Sequence, residues 1–202
     1  AAVESYVLAS GGGTFTLGSG DQNVDATAGS GDTIDVQGLT ATGTIETVSG
    51  DTIELSTGAD ISGVDAEGSG AGSAFNANSL TLSGDASVTM TVAQHEGFNS
   101  ITAAGTETVT LSDAGTVSGD GNIETYVLAD GANTFTAADS GQSVVGGTGA
   151  DDITGGTGAD DLSGGGGNDT ITGGGGADTL TGGAGDDTFN VDAGTDTITD
   201  LS

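Results

Sequence analysis

The residues best placed to do chemistry lie between Gly146 and Asn190, where a nine-residue unit repeats five times without a gap: GGTGADDIT, GGTGADDLS, GGGGNDTIT, GGGGADTLT and GGAGDDTFN. A sixth copy, VDAGTDTIT, keeps the period but has Val191 and Asp192 in place of Gly-Gly. One Asp recurs at Asp151, Asp160, Asp169, Asp178, Asp187 and Asp196, and one apolar residue at Ile153, Leu162, Ile171, Leu180, Phe189 and Ile198. Each unit divides into a Gly-rich turn, whose tolerance of positive φ lets backbone carbonyls point inward, and a short strand with a buried middle side chain. Stacked turns of this kind bring carboxylates and carbonyls around shared cavities. Such an all-oxygen donor set suits a hard divalent cation taking about six to eight oxygens, as calcium does.

Charge leads to the same ion. The 202 residues include 30 Asp plus Glu and no Lys or Arg, a formal net charge of −30, so no carboxylate can pair with a basic side chain of those two types. Two carboxylates about 4.8 Å apart on adjacent rungs repel by roughly 3 to 4 kcal/mol at an effective dielectric of about 20. A divalent ion between them reverses the sign. Ordering a Gly-rich segment also costs more backbone entropy than one buried apolar side chain per repeat returns, so residues 146–199 are expected to fold as metal binds.

The same composition excludes partners. With nothing to neutralise phosphates, nucleic acid is ruled out, and an anionic membrane surface needs calcium as a bridge. No run is long and apolar enough to suggest a membrane span. The absence of Cys fits a secreted protein stabilised by calcium instead of disulfides. Without an initiator Met or an apolar signal region, the sequence reads as a processed product or excised segment.

The elements that must position these residues are short strands. Apolar β-formers return every nine or ten residues, from Tyr6, Phe15, Val24 and Ile34 through Ile53, Leu80, Val88, Ile101, Val109, Val117, Tyr126, Phe135 and Val144 into the repeats. Thr, Val and Ile separated by Gly, Asp, Asn and Ser read as β throughout, with no helical period in any stretch. Nine residues suffice for half a coil and eighteen for a full one, which favours a parallel solenoid over a sandwich of hairpins. A longer duplication supports this: Val3–Gly29 aligns with Ile123–Gly149 at a constant offset of 120. The first copy leads into GSGDTID, which predicts a decayed calcium turn near Asp32, and GTIETV and GTETVTLS recur between the copies. The sequence thus predicts an all-β chain: a right-handed parallel β-solenoid over 1–145, continuous with a calcium-binding roll over 146–202.

The perfect repeats resemble the RTX (repeats-in-toxin) calcium β-roll. IETYVL at Ile123–Leu128, LTLSGDASVTMT at Leu80–Thr91 and GTETVTLS at Gly105–Ser112 resemble the β-solenoid regions of RTX-type bacterial surface-layer (S-layer) proteins and adhesins. The resemblance implies that repeat n stacks on repeat n+2, so that Asp151, Asp169 and Asp187 form one row and Asp160, Asp178 and Asp196 another. Calcium would sit between successive members, giving about four full sites and weaker half-sites at the ends. Further oxygens would come from the carbonyls of Gly147, Gly149, Gly156, Gly158, Gly165, Gly167, Gly174, Gly176, Gly183 and Gly185. Asp152 and Asp161 begin the strands and read as solvated. The resemblance also implies an extracellular, cell-surface location reached by type I secretion.

No enzyme is expected. The lone His95, in the turn VAQHEGFN, has no HExxH, Cys nucleophile or GxSxG around it, and no carboxylate pair stands out among 30 acids. The resulting reading is a secreted calcium-binding structural protein that self-assembles into an S-layer, array or filament. The alternatives are a calcium-rigidified segment of an adhesin, with a surface glycan as partner, and the calcium module of an exported enzyme.

Overall fold

The computed structural model describes residues 4–8, 12–16, 20–26, 31–36, 40–46, 51–65 and 79–200. Val3, Ala9–Gly11, Leu17–Ser19 and Thr27–Gly29 of the first duplicate, Gly29 and Ser30 of GSGDTID, and Thr47 and Val48 of GTIETV lie outside the described residues. The chain divides into two compact units, Ala1–Glu107 and Thr108–Ser202. Each is a parallel β-solenoid whose strands pair coil on coil, so that two main sheets grow together, and in the second unit Gly175–Gly176 and Ala193–Gly194 form a further two-stranded sheet.

In the first unit one sheet is built from Glu4–Val7, Gly20–Asp25, Thr40–Glu46, Asp60–Asp65 and Ser87–Met90. The other is built from Thr14–Thr16, Thr33–Val36, Thr52–Ser56, Ser79–Ser83 and Ser100–Thr102. Period-two patterning explains the packing. In Thr52-Ile53-Glu54-Leu55 the apolar side chains are fully buried and their neighbours are not. In-register pairing then stacks like on like, with Phe15 on Ile34, Ile34 on Ile53, Ile53 on Leu80 and Leu80 on Ile101.

One segment departs from the all-strand expectation. Val92–Gly97, part of the stretch read as a turn, is a single short helix. Thr91 accepts the Gln94 N–H at 3.1 Å while Gln94 Oε1 accepts the Thr91 N–H at 2.8 Å, a reciprocal capping box. Too short to show a helical period, the helix is announced only by that Thr-x-x-Gln. Gln94 also donates to the Ile61 carbonyl at 2.7 Å, which ties the helix to the coil.

In the second unit the coils become regular. Thr108–Leu111, Thr125–Val127, Ser143–Val145, Asp161–Gly166, Thr179–Ala184 and Thr197–Asp200 form one sheet. Thr116–Ser118, Thr134–Thr136, Asp152–Thr154, Thr170–Thr172 and Thr188–Asn190 form the other. Within the repeats the rungs are 18 residues apart, so two nonapeptides make one coil. Each three-residue strand buries only its middle side chain. Val117, Phe135, Ile153 and Ile171 line one wall of the core and Val109, Tyr126, Val144, Leu162 and Leu180 the other. Phe189 and Ile198, on the last rungs, are half-buried. The duplication has a structural counterpart: Tyr6 packs on Phe15 with ring centroids 4.5 Å apart, and Tyr126 packs on Phe135 at 4.9 Å.

Candidate metal centre

The pairing Ile153 on Ile171 and Leu162 on Leu180 places the Asp two residues before each of these on the same edge of successive coils. Asp151, Asp169 and Asp187 therefore form one row, and Asp160, Asp178 and Asp196 the other. A backbone ladder holds each row. The Asp151 N–H donates to Asp169 Oδ1 at 2.8 Å and the Asp169 N–H to Asp187 Oδ1 at 2.9 Å. On the opposite edge the Asp160 N–H donates to Asp178 Oδ1 at 2.9 Å and the Asp178 N–H to Asp196 Oδ1 at 3.2 Å.

The second carboxylate oxygens define the chemistry. Asp151, Asp160, Asp169 and Asp178 are at most 3% exposed. Oδ2 of Asp151 accepts the Gly147 N–H at 3.3 Å, and Oδ2 of Asp160 accepts the Gly156 N–H at 3.0 Å. Oδ2 of Asp169 and Oδ2 of Asp178 are buried without any hydrogen-bond partner. A buried anionic oxygen with no donor is costly, and this sequence has no Lys or Arg to answer it. Space is kept beside these oxygens by the first glycine of each repeat: a Cβ on Gly173 would lie 2.7 Å from Asp178 Oδ2, and one on Gly155 2.8 Å from Asp160 Oδ2. The residues present thus fit a cation.

The backbone carbonyls of the turns stack closely from coil to coil, and those of Gly147 and Gly156 accept the N–H groups of Gly166 and Gly175 at 3.0 and 2.9 Å. Those of Gly147 and Gly149 face Gly165 and Gly167 of the next coil; those of Gly156 and Gly158 face Gly174 and Gly176; those of Gly165 and Gly167 face Gly183 and Gly185. The approach is close enough that no Cβ fits at the facing glycines. The Gly174 and Gly176 carbonyls accept the N–H groups of Ala193 and Thr195, both at 3.3 Å. Among the described residues no three His, Asp or Glu side chains converge on one point. Asp152 and Asp161 are exposed, while Asp187 and Asp196 on the last rungs are half-buried.

Electrostatics follow from burial. Desolvation raises the Asp169 carboxyl above its ordinary value of 3.8; the Asp151 N–H opposes this, and the charges of Asp151 and Asp187 add to it. Asp160 is likewise raised, first by burial, against the N–H groups of Gln142 and Gly156 and with help from the charge of Asp178.

The ladders extend past the perfect repeats, which the nine-residue pattern did not reveal. The Asn133 N–H donates to Asp151 Oδ1 at 2.8 Å, and the Gln142 N–H donates to Asp160 Oδ1 at 2.7 Å. A similar row exists in the first unit. The Gly13 N–H donates to Asp32 Oδ1 at 2.7 Å and the Asp32 N–H to Asp51 Oδ1 at 3.1 Å, with both carboxylates buried. The sequence pattern points to Asp32 but not to Asp51. The signal for all of them is position: each stands two residues before a buried strand centre, Phe135, Val144, Ile34 or Ile53. His95 is buried in the short helix with Nδ1 3.2 Å from Glu96 Oε1.

Taken together, fold and site define a cation-binding parallel β-solenoid. Residues 136–171, 145–180 and 163–198 each match the RTX calcium-binding nonapeptide repeat (4 copies). This stretch of the chain is an RTX β-roll, and its repeats bind several Ca2+ ions. No curated protein and no solved structure matches the chain.

Proposed function

We propose that this chain is a calcium-gated structural and assembly segment of a secreted cell-surface protein, and that it acts in an S-layer, array or filament. RTX repeats form a calcium-binding structural module, and RTX proteins are typically secreted. No helix among the described residues is long and apolar enough to cross a membrane. In this reading residues 1–145 act as a solenoid spacer and 146–202 as the metal-responsive part, exported by a type I route. The ligands are the carboxylates of Asp151, Asp160, Asp169, Asp178, Asp187 and Asp196, with the carbonyls of the glycines at the second and fourth positions of each repeat. The segment has no catalytic role.

The observation that carries this reading is the pair of buried, partnerless oxygens on Asp169 and Asp178 in a chain without Lys or Arg. At neutral pH a divalent cation answers them best. The roll is therefore floppy where calcium is scarce, as suits export, and rigid where it is abundant. Exposed acids such as Asp152 and Asp161 give the same ion a way to bridge neighbouring copies. Adding millimolar calcium should drive self-association into ordered sheets or filaments, followed by light scattering and electron microscopy. A strictly monomeric species under those conditions would remove the assembly role.

A further inference from the structure

Asn133 occupies the place of the repeat Asp one coil earlier in the same row, and its side chain differs from an Asp at one atom. Its Oδ1 accepts the Gly115 N–H at 3.2 Å, as Asp169 Oδ1 accepts the Asp151 N–H. That bond identifies the other terminal atom as nitrogen. Nδ2 donates to the carbonyls of Ala129 and Gly131, both at 2.9 Å, and to Asp151 Oδ1 at 2.9 Å. Ala129 and Gly131 stand four and two residues before Asn133, as Gly165 and Gly167 stand before Asp169. Where the repeats have carbonyls and a bare carboxylate oxygen, this coil has the same carbonyls around an N–H2 group.

The second row also ends in a buried amide, whose nitrogen reaches carbonyls 22 and 19 residues earlier in the sequence. Gln142 Oε1 accepts the Ala138 N–H at 2.8 Å, four residues earlier, as Asp160 Oδ2 accepts the Gly156 N–H. Gln142 Nε2 donates to the carbonyls of Asp120 at 2.8 Å and Ile123 at 2.6 Å. Both amides are buried, at 4% and 3% exposure. A neutral amide supplies positive hydrogens to inward carbonyls without adding a charge to be compensated.

Resting on the assignment of the Asp rows as calcium ligands, we propose that Asn133 and Gln142 are built-in substitutes for calcium that end the two columns of metal sites. The coils they close stay folded without metal and serve as the template onto which residues 146–199 order when calcium arrives. A stack of coils propagates from whichever coil is already formed, so the amides also set the direction of ordering.

The test compares the full chain with Asn133→Asp and Asn133→Ala. By calorimetry, Asn133→Asp should take up one more calcium per chain than the wild type. By hydrogen exchange in chelator, the wild type should keep residues 125–145 protected while 146–199 exchange. Asn133→Asp should lose that protection by about tenfold or more and regain it with calcium. Asn133→Ala should lose it and not regain it. An unchanged calcium count in a folded Asn133→Asp, or wild-type protection in Asn133→Ala, would overturn the proposal. So would loss of protection over 125–145 in the chelated wild type. A wild type that binds no calcium would instead defeat the ligand assignment, and the Asn133→Ala comparison would still decide the role of the amide.

Discussion

Replacing Asp169 by Asn should change the sign of its effect with calcium. The substitution keeps the shape and the acceptor for the Asp151 N–H, but removes a charge whose second oxygen is buried without a partner. In chelator that charge is opposed by burial and by Asp151 and Asp187 on either side. At a rung spacing of about 4.8 Å each neighbour costs on the order of 3 kcal/mol at an effective dielectric of about 20, less what water and salt screen. In chelator Asp169→Asn should therefore shift the roll toward its folded form by up to a few kcal/mol relative to the wild type, read as a gain of β signal. With calcium the comparison should reverse, because in the proposed ligand assignment Asp169 stands between two rungs and serves an ion on each side. A site held at 100 times its Kd contributes about 2.7 kcal/mol, so losing two removes about 5 kcal/mol. Circular dichroism in chelator and denaturant titration in excess calcium, on both proteins, measure the two differences. Equal destabilisation in both conditions would refute the argument, since it would make Asp169 an ordinary structural hydrogen-bond acceptor.

Asp151→Ala should cost fewer ions than Asp169→Ala, about one against two by calorimetry, because Asp151 ends its row against Asn133; equal losses would contradict the stacking order. Chelation should abolish the β signal of residues 146–199 in circular dichroism while the first unit retains some. Acid should partly replace calcium: the folded-state values of Asp160 and Asp169 lie above 3.8, so their protonation favours the metal-free fold. That contribution is full below 3.8 and lost as pH rises through the raised values, so chelated protein should gain β signal on acidification from neutral pH while calcium affinity falls. Gly176→Ala should destabilise strongly, because its φ of +144° is unfavourable for a side chain and a Cβ would strike the Gly158 carbonyl; Gly175→Ala, whose nearest neighbour would be Thr157 at 3.8 Å, should stay near the wild-type melting temperature.

How much of this was legible in the sequence depended on period. The core positions Ile153, Leu162, Ile171 and Leu180 and the Asp beside each followed from a nine-residue repeat that tolerates no drift. Stacking n on n+2 came from the resemblance to RTX β-rolls, and the 18-residue rungs agree with it. Asn133 and Gln142 escaped because they are neither acidic nor set among paired glycines, and their role comes from the rung below. Asp51 escaped because the first unit's coils vary in length, with a rung of 19 residues from Asp32 to Asp51, which blurs a fixed period. The helix at Val92–Gly97 was missed because two turns or fewer leave no periodic trace, although its Thr91 and Gln94 box was present to be read.

The two edges of the roll are near copies: on each, an Asp N–H donates to the Oδ1 of the Asp 18 residues on, beside a glycine that leaves its Oδ2 room. An insertion or deletion of a single nonapeptide moves every later repeat to the opposite edge, where it meets the same acceptors and the same glycine cradle. Only a shift by some other number of residues breaks the ladder. The length of such an array can thus drift by slippage of one 27-base unit at a time, and every intermediate copy number is a foldable protein. Selection can then tune the span of the rigid rod, or the number of ions needed to set it, without passing through a broken ancestor.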